Sequence, residues 1–149
     1  MASSFFKYNS NGFWIQDSIF MISLSYLNKT LKDCDKLPEW LGKMKNLVEE
    51  NSLGYYHSYM HLEFEEYLIN ESRKEKFINI IRETQRYLIN KGEFIGVDEL
   101  NSLGLESDFV SRWDEGIETN RIINVFSWMI NLIKGRIKII STDRINYLF

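Results

Sequence analysis

The stretch "SRKEKFINIIRETQRYLINKG", residues 72–92, decides the fold class. Phe77, Ile80, Ile81, Tyr87 and Leu88 recur at helical spacing, Ser72 and Glu75 have the separation of a capping box, and Gly92 supplies a stop. The pattern predicts a helix from Ser72 to about Gly92. Working outward, Ile122, Val125, Phe126, Met129, Ile130 and Ile133 predict a second helix over Thr119–Lys134, closed by Gly135. Upstream, Phe20, Leu24, Leu27 and Leu31 predict a helix over Asp17–Lys32. Pro38 sits where a first helical turn tolerates proline, and Trp40, Leu41, Met44, Leu47 and Val48 continue on one stripe as far as "NSLG", with Gly54 free to turn left-handed.

The chain of 149 residues has one proline. That leaves little of the punctuation many short strands require. "NSLG" occurs at Asn51–Gly54 and again at Asn101–Gly104, and almost nothing else matches at that offset, so the two copies read as similar helix stops and not as a repeat. In the tail, Ile137 and Ile139 alternate with charges as an edge strand does. The expectation is an all-α or predominantly α protein: one compact domain over residues 1–149, with about five or six helices and room for a short β element near the C-terminus.

Composition fits a globular chain, 44% hydrophobic and 26% charged, with a high aromatic share of 15%. One domain of this length buries most of a single core. Cys34 is the one cysteine; it has no partner for an internal disulfide and suits a reducing compartment. "MASSFFKYNSNGFW" lacks a basic region followed by an apolar one, so no secretory signal is expected. The apolar runs "FWIQDSIFMISLSYL" and "IINVFSWMINLIKGRIKII" are broken by Gln16 and Asp17 and by Lys134, Arg136 and Lys138, so no membrane span is expected either. A cytoplasmic location follows as the simplest reading.

Both histidines fall in "GYYHSYMHLEFEEYL", residues 54–68. As a helix, this stretch puts His57, His61 and Glu65 in one row; as a strand, it alternates Met60, Leu62 and Phe64 with His61, Glu63 and Glu65. Along the helical row each step rises about 6 Å, so His57 and Glu65 stand about 12 Å apart and share no ion. Two histidines alone are short of a zinc site, and neither HExxH nor a paired ExxH is present. No GxSxG, glycine-rich phosphate loop, GxGxxG or Cys-His signature occurs. The sequence therefore predicts no catalytic residues, no metal and no cofactor, with a metal-dependent enzyme around His57 and His61 as one alternative and a structural or adaptor module as another.

Charge is segregated although the net is only −3. Residues 46–72 hold six acids and no Lys or Arg, and residues 93–118 hold eight acids against Arg112 alone. The rest of the chain carries the compensating positive charge. Such blocks create local fields that steer a basic partner, and Phe94, Phe109 and Trp113 lie within the second. Trp113 reads either as a desolvated anchor for that partner or as a local core residue. Direct nucleic-acid binding is not expected, because the chain lacks a coherent basic patch.

"HLEFEEYL" and "ESDFVSRWDEGIE", in a small, acidic, aromatic-rich chain, resemble in character the bacterial immunity proteins of contact-dependent inhibition and other polymorphic toxin systems. The resemblance implies a protein that binds a cognate toxin domain, often a basic nuclease, and occludes its active site or substrate approach. The residues expected to carry the contact are Glu63, Glu65, Glu66, Asp108, Phe109, Trp113, Asp114, Glu115 and Glu118.

Overall fold

The computed structural model describes residues 3–53, 62–103 and 113–143. The chain opens with a feature the sequence reading did not predict, a β-hairpin of β1 (Ser3–Tyr8) and β2 (Asn11–Gln16) paired antiparallel with Tyr8 opposite Asn11. The register leaves Asn9 and Ser10 as a two-residue loop with φ of 49° and 71°. Positive φ at both positions is what a type I′ turn demands, and asparagine tolerates it well. Ser4, Phe6 and Tyr8 of β1 and Phe13 and Ile15 of β2 turn inward. Phe6 lies within 5.3–5.5 Å, centroid to centroid, of Phe13, Phe20 and Phe64, which ties the hairpin to the following elements.

α1 (Asp17–Lys32) begins directly after β2 and has the bounds its apolar spacing predicts. Ile19, Phe20, Met21, Ile22, Leu24, Leu27 and Leu31 are all buried, so this helix is covered on most of its circumference and forms the centre of the core. α2 (Glu39–Ser52) packs on one flank of α1, while α3 (Glu71–Lys91) and α5 (Thr119–Ile133) pack on each other and on α1. Between α2 and α3 lies a single 3₁₀ turn, Phe64–Glu66. A two-residue ladder joins β3 (Phe94–Ile95) to β4 (Ile117–Glu118), with the short α4 (Val97–Ser102) following β3. The domain is predominantly α, with five α-helices and two two-stranded sheets among the described residues.

Three local expectations need correction. α3 is capped by Asn70 and not by Ser72: Asn70 is extended and its Oδ1 accepts from Arg73 N at 2.9 Å, so the helix starts one residue before Ser72. Tyr87 lies on the predicted stripe but is 38% exposed. Residues 135–143 of the tail form no strand; instead Ile139 O accepts from Gly12 N at 2.8 Å, so the tail returns to the hairpin.

The Asn-Ser-Leu parts of the two "NSLG" copies end helices in the same way, while Gly54 and Gly104 lie outside the described residues. Ser52 Oγ donates to Glu49 O and Ser102 Oγ to Glu99 O, both at 2.7 Å, at the last residues of α2 and α4. At the end of α5, Gly135 N donates to Leu132 O and Arg136 N to Asn131 O, with Gly135 at φ 74°. This is a Schellman arrangement, in which the left-handed residue is best supplied by glycine. No helix among the described residues is long and apolar enough to cross a membrane.

Candidate functional site

The C-terminal end of α3, the β3–β4 ladder and the first turn of α5 enclose a cleft of about 590 Å³. Its position follows from local chemistry. Gly92, at φ 105°, stops α3 and lets the chain turn into β3. Thr119 N then donates to Glu93 O at 2.8 Å, which fixes the start of α5 beside that turn. Phe94 pairs with Glu118 across the ladder, and Ile95 pairs with Ile117, both buried.

The walls are apolar and the rim is acidic. Ile89 and Phe94 are 61% and 62% exposed, large hydrophobic side chains that the core leaves uncovered. Ile123 from α5 adds to the apolar lining, while Glu93 and Glu118 are exposed carboxylates and, among the described residues, no Lys or Arg lines the cleft. Thr119 is 1% exposed, lines the same cleft, and its Oγ1 has no hydrogen-bond partner. Gln85 Nε2 donates to Ile123 O and to Ser127 Oγ, holding α5 against α3 below the cleft.

The sequence-predicted contact residues divide between the two ends of α3. Glu63 and Glu66 are exposed and Glu65 is half-buried, with its Oε2 enclosed and unpartnered. Glu63 has φ 47°, which interrupts any continuous helix reaching Glu65 from the histidine stretch. Phe64 anchors this group on Phe77 at 5.0 Å, near the start of α3. Glu93 and Glu118 lie beyond its other end, about 24 Å further along the helix axis. Asp114 and Glu115 are exposed and lead into β4. Asp108 and Phe109, like His57 and His61, lie outside the described residues.

Trp113 is half-buried, packs against the core, and keeps its indole Nε1 enclosed without a partner. Among the described residues of the acidic block, the aromatic side chain that stands free is Phe94. Sequence reasoning placed Phe94 in the acidic block but did not choose it, and it did not single out Ile89. The missing signal was the pairing of Phe94 with Glu118, a contact between distant positions.

A second polar cluster links α1, α3 and α4. Tyr26 Oη donates to Glu99 at 2.9 Å, Lys91 forms an ion pair with the same carboxylate, and Lys29 Nζ donates to Tyr87 Oη at 2.7 Å. Lys29 and Lys91 also lie over the Tyr87 ring, at 4.6 and 5.4 Å from its centre. Burial raises the Tyr26 phenol well above its ordinary value, reinforced by Glu99. Burial also pulls Glu99 upward, but the hydrogen bonds from Lys91 and Tyr26 outweigh it and hold the carboxyl below its ordinary value. The hydrogen bond to Tyr87 raises Lys29, and burial raises the Cys34 thiol, which makes it a poor nucleophile. This cluster is a structural tie that holds α4 on the helical body.

Among the described residues, no three His, Cys, Asp or Glu side chains are grouped to hold a metal ion. No protein-family model, curated protein or solved structure matches the chain.

Proposed function

We propose that this domain binds a basic protein through the acid-rimmed cleft and neutralises it, as an immunity protein neutralises its cognate toxin domain in the cytoplasm. The observation that carries the reading is the exposure of Phe94 and Ile89 between Glu93 and Glu118. A folded domain with a well-filled core gains nothing by leaving two large apolar side chains in water, whereas a binding surface uses such groups as desolvated anchors. The surrounding carboxylates favour a positively charged partner and speed its approach. A nuclease domain, basic because it must bind phosphate, has the matching charge, and covering it would block substrate access.

The test is co-expression with any toxin domain encoded beside this chain. The wild-type protein should protect cells and form a stoichiometric complex, and Phe94→Asp combined with Glu118→Lys should lose both while remaining folded. A neighbouring toxin that is neither bound nor neutralised by the wild type, or a folded double variant that protects fully, overturns the reading.

A further inference from the structure

We infer that the cleft between α3, β4 and α5 is an arginine pocket, taking one arginine side chain of the basic partner; the inference rests on the protein-binding reading above. Four features of the cleft converge on a guanidinium. Phe94 offers an exposed ring face on which a planar cation stacks. Glu118 pairs with Phe94 across the ladder and Glu93, just before β3, lines the same cleft, so two carboxylates belong to it. Ile89 and Ile123 supply apolar wall for the three methylenes of an arginine stem. The C-terminal end of α3, the negative end of its helix dipole, lies at the cleft through Ile89 and Gly92 and favours positive charge.

A fifth feature is independent of the acids. Thr119 lines the cleft, is almost fully buried, and its hydroxyl makes no hydrogen bond. An unpartnered buried hydroxyl is a cost to the free protein that a donor from a ligand removes. Turned toward the cleft, Oγ1 would accept from a guanidinium N–H that the carboxylates do not use. Arginine fits better than lysine, because its fork carries five donors and stacks on an aromatic ring, and this cleft offers acceptors on several sides together with such a ring.

The probe is the blocked tripeptide acetyl-Gly-Arg-Gly-amide, compared with counterparts in which citrulline or norleucine replaces arginine, titrated into the isotope-labelled full chain. The arginine peptide should shift the amide signals of Phe94, Thr119 and Ile123 saturably, and citrulline, which keeps the shape but not the charge, should bind about tenfold more weakly. Glu93→Gln with Glu118→Gln should weaken the arginine peptide toward the citrulline level. Thr119→Val should weaken it too, with an unchanged melting temperature, because the hydroxyl it removes holds nothing in the free protein. Equal binding of citrulline or norleucine, shifts confined to other residues, or no shift at all overturns the inference. Its failure is separable from that of the inhibitor reading: an arginine-selective cleft whose variants still neutralise the toxin leaves the pocket standing, and variants that lose neutralisation without arginine selectivity leave the inhibitor standing.

Discussion

Asn101 holds both backbone groups of Trp113: its Oδ1 accepts from Trp113 N at 2.9 Å and its Nδ2 donates to Trp113 O at 3.1 Å. A single side chain therefore stands in for a strand partner and joins the end of α4 to the residues that lead into β4. The link also explains why "NSLG" at this position is more than a helix stop, since its asparagine faces outward to Trp113 and its serine faces back to α4. Asn51, the matching residue of the first copy, donates instead to Leu47 O at 2.8 Å within its own helix.

Replacing Asn101 by Ala should break that link. Two hydrogen bonds at an exposed site are worth about 1–2 kcal/mol together, so the free energy of unfolding from urea titration should fall by that much without loss of the helical circular dichroism signal. Asn101→Asp keeps the acceptor for Trp113 N and should recover part of the loss. Equal midpoints for wild type and Asn101→Ala would show that the core contacts of Trp113 suffice alone.

Gly12 tests how tightly the hairpin closes. A Cβ there would lie 2.0 Å from Phe6 O, and Gly12 N also donates to the returning tail at Ile139 O. Backbone has to move to accept it, so Gly12→Ala should cost about 2–3 kcal/mol, in the range of overpacked cores. Gly135→Ala should cost about 1 kcal/mol, from left-handed backbone alone, because a Cβ there meets nothing within 4 Å. Thermal unfolding of the two variants side by side separates crowding from strain.

The helices were legible because their apolar stripes agree with their ends. Asp17–Lys32 has the predicted bounds, and α5 stops at Ile133, one residue short of the predicted Lys134. The hairpin was not legible for a physical reason: Phe5 and Trp14 pair at 5.4 Å on its other face, so aromatic residues occupy both sides of the strands and blur the period of two. The shift of the α3 cap from Ser72 to Asn70 reflects two good capping residues in close succession, where the extended backbone of Asn70 decides. For the site, local sequence revealed the excess of acid but could not pair Phe94 with Glu118 or bring Ile89 beside them. It also could not show that Trp113, surrounded by acids, rests on the core.

The cluster around Glu99 should shape the pH dependence of stability. The Glu99 carboxyl is held below its ordinary value of 4.5, so its contribution is present above that pH and is lost as pH falls through the lower folded value. Lys29 and Tyr26 are raised from ordinary values of 10.5 and 10.0, so their contributions are present below those values and decline as pH rises past them. Glu99→Gln should therefore flatten the acid limb of a plot of urea midpoint against pH, and Tyr26→Phe the alkaline limb. An acid limb unchanged by Glu99→Gln would assign the loss to other carboxylates.

Phe94 and Trp113 give opposite expectations, and the contrast tests where the binding energy lies. Phe94 contributes little to the core, so Phe94→Ala should leave the melting temperature nearly unchanged while raising the dissociation rate of the proposed toxin complex, at a cost of about 2 kcal/mol or more for a true anchor. Trp113→Ala removes a ring packed on the core and should first lower stability. The acids act differently again: attraction between exposed charges is screened over about 8 Å at physiological salt, so raising salt, or reversing Asp114 and Glu115, should slow association more than it speeds dissociation. Surface-binding kinetics of each variant, with circular dichroism confirming its fold, separates the three roles. If Phe94→Ala leaves the dissociation rate as it was while reversal at Asp114 and Glu115 abolishes binding, the contact centres on the acidic segment rather than on the cleft.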